Sequence, residues 1–282
     1  METDDPHEHP RALLQAWGLR PKKKLGQNFL TDGKAAQRIA RLSLVDAPAH
    51  ARVLEIGAGT GVLTKALIRE GADVTAIEID SQLVAILRSQ TGLELASIVP
   101  ADALAFDYGA YAAGSPWRVA GNLPYNVATP IIVGFCEMVW APETVTVMIQ
   151  KDVADRLAAQ PGTPQYGSLS IAVQYAMTVE RAFTLRPQAF YPAPKVDSTV
   201  VQLVRRAEAP VHPRDVAHFR TVVRAAFAYR RKTLANSLVL AMNCGRDDAA
   251  RAIRESHLDE MVRGEQLSMA DFARLSDALS IR

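Results

Sequence analysis

The sequence predicts an α/β fold: a mostly parallel sheet covered by helices on both faces, followed by a small all-helical domain. Three observations carry this. From residue 50 to about 205, short β-branched runs alternate with longer helical stretches, the order that builds βαβ units. The first strand run passes straight into a glycine-rich turn, at Val53-Leu54-Glu55-Ile56-Gly57-Ala58-Gly59-Thr60-Gly61. After Arg206 the strand runs stop and helical periodicity takes over.

In chain order, strands are expected at 53–56, 74–79, 95–99, 118–120, 144–149, 179–185 and 199–204, with intervening helices at 62–69, 81–89, 129–139 and 152–159. Only the Pro-rich stretch 186–197 separates the last two strand runs, which favours an antiparallel pair closing one sheet edge. Residues 208–213, Glu-Ala-Pro-Val-His-Pro, read as a linker. Beyond it, Phe219, Val222, Val223, Ala226 and Phe227 follow the i, i+3, i+4, i+7, i+8 spacing of an amphipathic helix, with Arg220, Arg224 and Arg231 on a different face. The expected organisation is a flexible tail over 1–20, a sheet domain over 21–206 and a helical domain over 207–282. The helical part is too small to bury much core alone and is expected to pack on the sheet domain.

Hydrophobic residues make up 49% and charged residues 22% of the 282. That balance excludes disorder, a collagen-like repeat or a solenoid as a global description. No apolar run approaches the ~20 residues of a membrane helix; the best, 131–136, stops at Glu137. Residues 1–10 are acidic and polar and do not read as a secretory signal. Cys136 and Cys244 offer neither a disulfide framework nor metal-ligand spacing, and the six histidines are scattered. No metal site is expected, and a reducing cytoplasm is the expected compartment.

The net charge is only +2, but its placement is uneven. Arg11, Arg20, Lys22, Lys23, Lys24, Lys34 and Arg38 face a single acid, Asp32, in one run; Arg220, Arg224, Arg230, Arg231 and Lys232 face none in another. Two local positive fields of this kind attract a polyanion even from a nearly neutral molecule.

Glycines belong where a backbone takes positive φ or must approach a ligand closely. Glu78 follows Gly57 by twenty-one residues, at the end of the next strand run. An acid so placed accepts hydrogen bonds from ribose hydroxyls at the carboxyl ends of parallel strands. The glycines fall at 57, 59 and 61 and position 62 is Val, so the dinucleotide pattern G-x-G-x-x-G is not met. With no second nucleotide-binding half, a nicotinamide oxidoreductase is disfavoured. Glu55-x-Gly57-x-Gly59-x-Gly61 resembles the first motif of S-adenosylmethionine-dependent methyltransferases of the Rossmann-like class I fold. That resemblance implies S-adenosylmethionine as cofactor and places Asp102, after the third strand run, on the adenine amine.

The fourth strand run ends in Gly121-Asn122-Leu123-Pro124-Tyr125-Asn126, similar to the [D/N]-x-P-[Y/F/W] motif of methyltransferases that act on exocyclic base amines. Such an amine is a poor nucleophile because its lone pair is delocalised into the ring. The Asn122 side-chain oxygen and the Leu123 carbonyl would accept its two N–H bonds and aim the lone pair. Pro124 stiffens the loop, and Tyr125 offers a stacking face.

Three further segments, Lys23-Lys24-Leu25-Gly26-Gln27-Asn28-Phe29-Leu30, Phe190-Tyr191-Pro192-Ala193-Pro194-Lys195-Val196-Asp197-Ser198 and Tyr229-Arg230-Arg231-Lys232-Thr233-Leu234, complete a resemblance to the KsgA/RsmA family of ribosomal RNA adenine dimethyltransferases over about residues 20–280. The resemblance implies cofactor contacts from Asn28, Leu30, Gly57, Gly59, Gly61, Glu78, Asp102 and Asn122. It implies that Tyr125 and Phe190 sandwich the target adenine. Lys22–Lys24, Arg220, Arg224 and Arg230–Lys232 would hold RNA phosphates, making the helical domain RNA-binding. The implied reaction is dimethylation of two adjacent adenines in the 3′-terminal hairpin of 16S rRNA within a small-subunit precursor, by a monomer with no membrane association. Two alternatives are a large-subunit (23S) rRNA methyltransferase of the antibiotic-resistance type and a non-catalytic rRNA-binding assembly factor. Leu123 and the Arg-Arg-Lys-Thr-Leu run weigh against the first, and the intact Asn122–Tyr125 motif against the second.

Overall fold

The structure is a computed structural model that describes residues 9–229 and 231–279. In order, α1 (Pro10–Ala16), β1 (Phe29–Leu30), α2 (Gly33–Ser43), β2 (Arg52–Ile56), α3 (Val62–Arg69), β3 (Asp73–Glu78), α4 (Ser81–Ser89), β4 (Ser97–Pro100), α5 (Tyr108–Ala112), β5 (Arg118–Asn122), α6 (Ala128–Glu137) and β6 (Thr144–Gln150) build the alternating part. Then come α7 (Lys151–Leu157), α8 (Ser168–Ala176), β7 (Met177–Leu185), β8 (Phe190–Tyr191) and β9 (Ser198–Arg205). The chain finishes in α9 (Val216–Ala228), α10 (Leu234–Met242), α11 (Arg246–Glu255) and α12 (Met269–Leu279).

Seven strands form one sheet in the order β4-β3-β2-β5-β6-β9-β7. β2 pairs in parallel with β3 and β5, β5 with β6, and β9 runs antiparallel to β6. Every residue of β6 from Thr144 to Ile149 is buried; since successive side chains point to opposite faces, both faces of the sheet are covered there. The expected strands are all present, each within two residues of its expected limits. β1 and β8 form a separate two-stranded ladder, pairing Phe29 with Tyr191 and Leu30 with Phe190.

The backbone clusters into two compact units, the first holding the described residues up to Ala154 with Val179–Arg205, the second holding Asp155–Thr178 with the described residues from Arg206 on. The break at Arg205–Arg206 lies beside the expected boundary at 206, but Asp155–Thr178, expected in the sheet domain, group with the second unit. Ala159, Tyr166 and Ile171 are buried among Phe219, Val222, Leu234, Phe272 and Leu275, so the second unit completes its core with a segment that precedes β7 in the chain. The helical part therefore has a core of its own. Residues 10–16 also depart from the expected tail: they form a helix whose Leu14 is buried with Phe29, Leu83 and Ile86. The core face of α9 is as the periodicity predicts, but Arg231 lies beyond its end at Ala228 and not on its face.

Arg118 opens β5 and is 6% exposed. Its guanidinium donates to the carbonyls of Ser43, Val45 and Asp46 at 3.1, 2.7 and 3.3 Å, closing the carbonyl end of α2 onto the sheet. Arg118→Met should cost about 2–4 kcal/mol in urea unfolding, because buried acceptors lose charged donors together. A loss under about 0.5 kcal/mol would show that water replaces them.

Candidate active site

The chain leaves β2 outward to β3 and β4 and returns to β5 on the other side of β2. This reversal opens a crevice beyond the carboxyl ends of the strands. A cleft of about 320 Å³ occupies it, lined by Gly57 and Gly59 after β2, Glu78 and Ile79 after β3, Ala101–Leu104 after β4, and Asn122–Val127 after β5. Its remaining wall is a strap, Lys24–Phe29, which leaves a single 3₁₀ turn (Lys23–Leu25) through Gly26 and enters β1.

The glycine turn has two different reasons for its residues. Gly59 has φ +58°, and a Cβ on it would come 3.0 Å from the Phe29 ring, so the strap packs down only on a glycine. Gly61 has φ +84° and caps α3, and a Cβ there would meet Leu93 at 2.8 Å. It does not line the cleft; the cofactor contact expected of it is corrected to a helix-packing role.

Glu78 is 6% exposed, its two carboxylate oxygens accepting the N–H groups of Gly59 at 2.9 Å and Asp80 at 3.0 Å. Burial raises its pKa, and these N–H groups oppose the rise. The fixed carboxylate is an acceptor for paired hydroxyls. Asp102 is exposed at the rim and accepts the Leu104 N–H at 2.9 Å.

Asn122 ends β5, and its Nδ2 donates to the Asn28 carbonyl at 2.7 Å. A carbonyl accepts only from the amide nitrogen, so Oδ1 is left as the free acceptor. Leu123 is 1% exposed, its N–H bound to the Met148 carbonyl at 3.1 Å; only its backbone is available to a ligand. Tyr125 is half-buried along the cleft, with its hydroxyl 2.9 Å from Ser198 Oγ. Burial raises the Tyr125 pKa and Ser198 opposes this, so the phenol stays neutral and the ring is held by its tip.

Asn28, Gly57, Gly59, Glu78, Asp102, Asn122, Leu123 and Tyr125 thus meet in one cleft, with Lys24 on its wall. Besides Gly61, two expected members do not join them. Leu30 and Phe190, paired across the β1–β8 ladder, are each 5% exposed and lie together in the core. The pleat sends their neighbours Phe29 and Tyr191 the other way, into the cluster holding Leu14 and Leu83. Lys22, expected on phosphate, is ion-paired with Asp80 at 2.7 Å. Lys23 and Lys24 are exposed, as are Arg224, Arg231 and Lys232, while Arg220 is half-buried; Arg230 lies outside the described residues.

Sequence reasoning passed over Gln27, Ile79, Asp80 and Leu104. Ile79 and Leu104 are 52% and 55% exposed at the cleft, apolar surface suited to a flat ring. Asp80 had one visible signal, its position two residues after Glu78. Among the described residues no group of three His, Cys, Asp or Glu side chains is arranged to hold a metal ion, and no helix is long and apolar enough to cross a membrane.

A family model described as ribosomal RNA adenine dimethylase matches residues 18–280. The chain belongs to this family. Among curated relatives, "Ribosomal RNA small subunit methyltransferase A" of Geobacter sulfurreducens is 42% identical over 268 residues, covering 93% of this chain and 96% of the relative. The protein of that name from Streptococcus gordonii is 41% identical over 278 residues, covering 95% of each. Of solved structures, the 23S rRNA methyltransferase ErmE superposes with TM-score 0.69 at 25% identity, covering 89% of this chain and 99% of that one. A dimethyladenosine transferase from Plasmodium falciparum superposes with TM-score 0.73 at 23% identity, covering 88% and 95%, and shares the fold. The sheet is thus the Rossmann-like class I methyltransferase sheet that the glycine turn implied.

Glu55, also 1% exposed on β2 of this family fold, carries no expected ligand contact. Burial pushes its pKa from 4.5 to about 7, with the Thr64 hydroxyl opposing and the Glu78 charge adding. Below pH 4.5 the group is protonated in folded and unfolded chains alike. Between 4.5 and about 7 only the unfolded chain ionises, so folding stability falls as pH rises; above 7 the penalty is complete, about 3 kcal/mol. Glu55→Gln, neutral throughout, should therefore gain about 3 kcal/mol relative to the unaltered chain between pH 4.5 and 8 in urea unfolding. A stability difference independent of pH would mean Glu55 is ionised in the fold.

Proposed function

We propose that this chain transfers methyl groups from S-adenosylmethionine to the N6 amines of two adjacent adenines in the 3′-terminal hairpin of 16S rRNA. The observation that carries this reading is the Asn122 amide, locked by the Asn28 carbonyl with its oxygen free at the cleft. The small-subunit choice is supported by the 41–42% identity to relatives named for that subunit, against 25% for the 23S enzyme. The expected particle is a small-subunit precursor in the cytoplasm, and the expected active form is a monomer.

The cleft fits the donor. Glu78 provides fixed acceptors for ribose hydroxyls, Asp102 a rim carboxylate for the adenine amine, and Ile79 and Leu104 apolar walls for its ring. Gly57, at φ +74°, turns the chain beside the Asn122 carbonyl in a conformation that favours glycine. When bound, S-adenosylmethionine supplies a methyl group on a positively charged sulfur. The chain's own part is alignment. Asn122 Oδ1 and the Leu123 carbonyl accept the two N–H bonds of the target amine, turning its lone pair toward the incoming carbon. The Tyr125 ring stacks on the base and, as a neutral π face, tolerates nearby positive charge. No side chain needs to remove the proton first, since methylation makes the nitrogen acidic and the proton leaves afterwards. A looped-out adenine costs less to present than one paired in a duplex. Lys23 and Lys24 in the first unit, and Arg224, Arg231 and Lys232 in the second, hold phosphates.

Asn122→Ala should lower kcat by about 10²–10³-fold, the size of a lost preorganised polar contact, while S-adenosylhomocysteine still binds. Tritium transfer to small subunits lacking these methyls, mapped by primer extension, tests substrate and residue together; a signal confined to 23S rRNA would overturn the reading. Replacing Arg231 and Lys232 by Ala should reduce the slope of log K against log[salt] for RNA binding by about 1.5. An unchanged slope would place these cations away from phosphate.

A further inference from the structure

The strap that walls the cleft is tied down outside it. Lys22 Nζ lies 2.7 Å from Asp80 Oδ1, Gln27 Nε2 lies 2.9 Å from Asp80 Oδ2, and Gln27 Oε1 accepts the Lys22 N–H at 2.7 Å. The three groups close a ring that spans 58 residues of chain. The Asp80 N–H in turn donates to Glu78 Oε1, and Glu78 Oε2 accepts the Gly59 N–H. A continuous hydrogen-bonded path therefore runs from the strap to the glycine turn. Burial alone would raise the Asp80 pKa; Lys22, Gln27 and the Gln82 N–H outweigh it and hold the carboxyl below its ordinary value, so the ring stays charged well into acid.

Neither Lys22 nor Asp80 lines the cleft, whereas Lys24–Phe29, the segment that Lys22 and Gln27 tie down, does. An effect of this pair on a ligand passes through the strap, or through the Asp80 N–H to Glu78. We propose that Lys22, Gln27 and Asp80 form a latch that holds the strap across the donor cleft. As positioning residues they set how tightly the methyl donor and its demethylated product are held, and not the rate of methyl transfer. This rests on the reading of the cleft as the donor site. The Asp80 side chain is 4% exposed, unlike an ordinary surface pair, which contributes little; charge-assisted hydrogen bonds to such a group are about twice as strong as neutral ones.

The test uses the full chain with Lys22→Met, Asp80→Asn, the double variant, and Lys22→Arg. Asparagine caps a helix as well as aspartate, so α4 keeps its start in Asp80→Asn. Calorimetric titration with S-adenosylhomocysteine should show each of the first two weakening affinity about tenfold, the scale of one charge-assisted hydrogen bond. The double variant should be no weaker than the weaker single one, and Lys22→Arg should bind nearly as the unaltered chain. Amide hydrogen exchange over residues 22–30 should quicken in Asp80→Asn, and its KM for S-adenosylmethionine should rise with kcat held within about twofold. Equal affinity and equal exchange in all variants would overturn the latch, as would a fall in kcat at unchanged KM. If the unaltered chain fails to bind S-adenosylhomocysteine, the donor reading itself falls and the latch with it.

Discussion

The amide of Asn122 has two ends of opposite hydrogen-bonding character, and the Asn28 carbonyl 2.7 Å from its nitrogen determines which end faces the cleft. Rotating the amide would set two acceptors against each other and leave only donors for a target amine that itself brings N–H groups. The orientation depends on the strap, the strap on Gly59 and on the β1–β8 ladder, and both on the strand reversal beside β2. A contact between residues 94 apart in sequence thus converts a flexible amide into a one-directional acceptor.

Around that amide the site stores unfavourable charge. Glu55 and Glu78 are both buried at the carboxyl end of the central strands; the Glu78 charge raises the pKa of Glu55, the Asp80 charge raises that of Glu78, and burial is the leading cause for both. Backbone N–H groups from Gly59 and Asp80 stabilise Glu78 in place. A carboxylate already desolvated and fixed needs little rearrangement when hydroxyls dock on it. The stability lost there is made up by an apolar core that runs through β2, β5 and β6 with almost no exposed residue.

The second unit solves a different problem. Its helices bury Phe219, Phe272 and Leu275, while Arg224 on α9 and Arg231 and Lys232 between α9 and α10 stay exposed. Borrowing Ala159, Tyr166 and Ile171 from upstream enlarges a core that residues 207–282 alone would leave small. An exposed cationic surface on a rigid support suits phosphate contacts, whose strength comes from counterion release and not from shape.

Much of this was legible in the linear chain because it is local. β-branched runs, the helical spacing of Phe219 to Phe227, the glycines before α3 and the Asn122–Tyr125 turn are written within a few neighbouring residues, and the strands fall where their apolar runs do. The family motifs added the donor and the base. What only the tertiary structure decided are the partners of those residues. Two-residue strands such as β1 and β8 have no period to read, so nothing local shows that Leu30 and Phe190 turn into the core while Phe29 and Tyr191 turn away. Lys22 looks like one more cation in a basic run until Asp80 meets it from 58 residues off. Gly61 reads as part of a ligand loop until Leu93 occupies the space beside it. Propensity and periodicity act over a turn or a strand, whereas pairing across the fold is set by how the whole sheet packs.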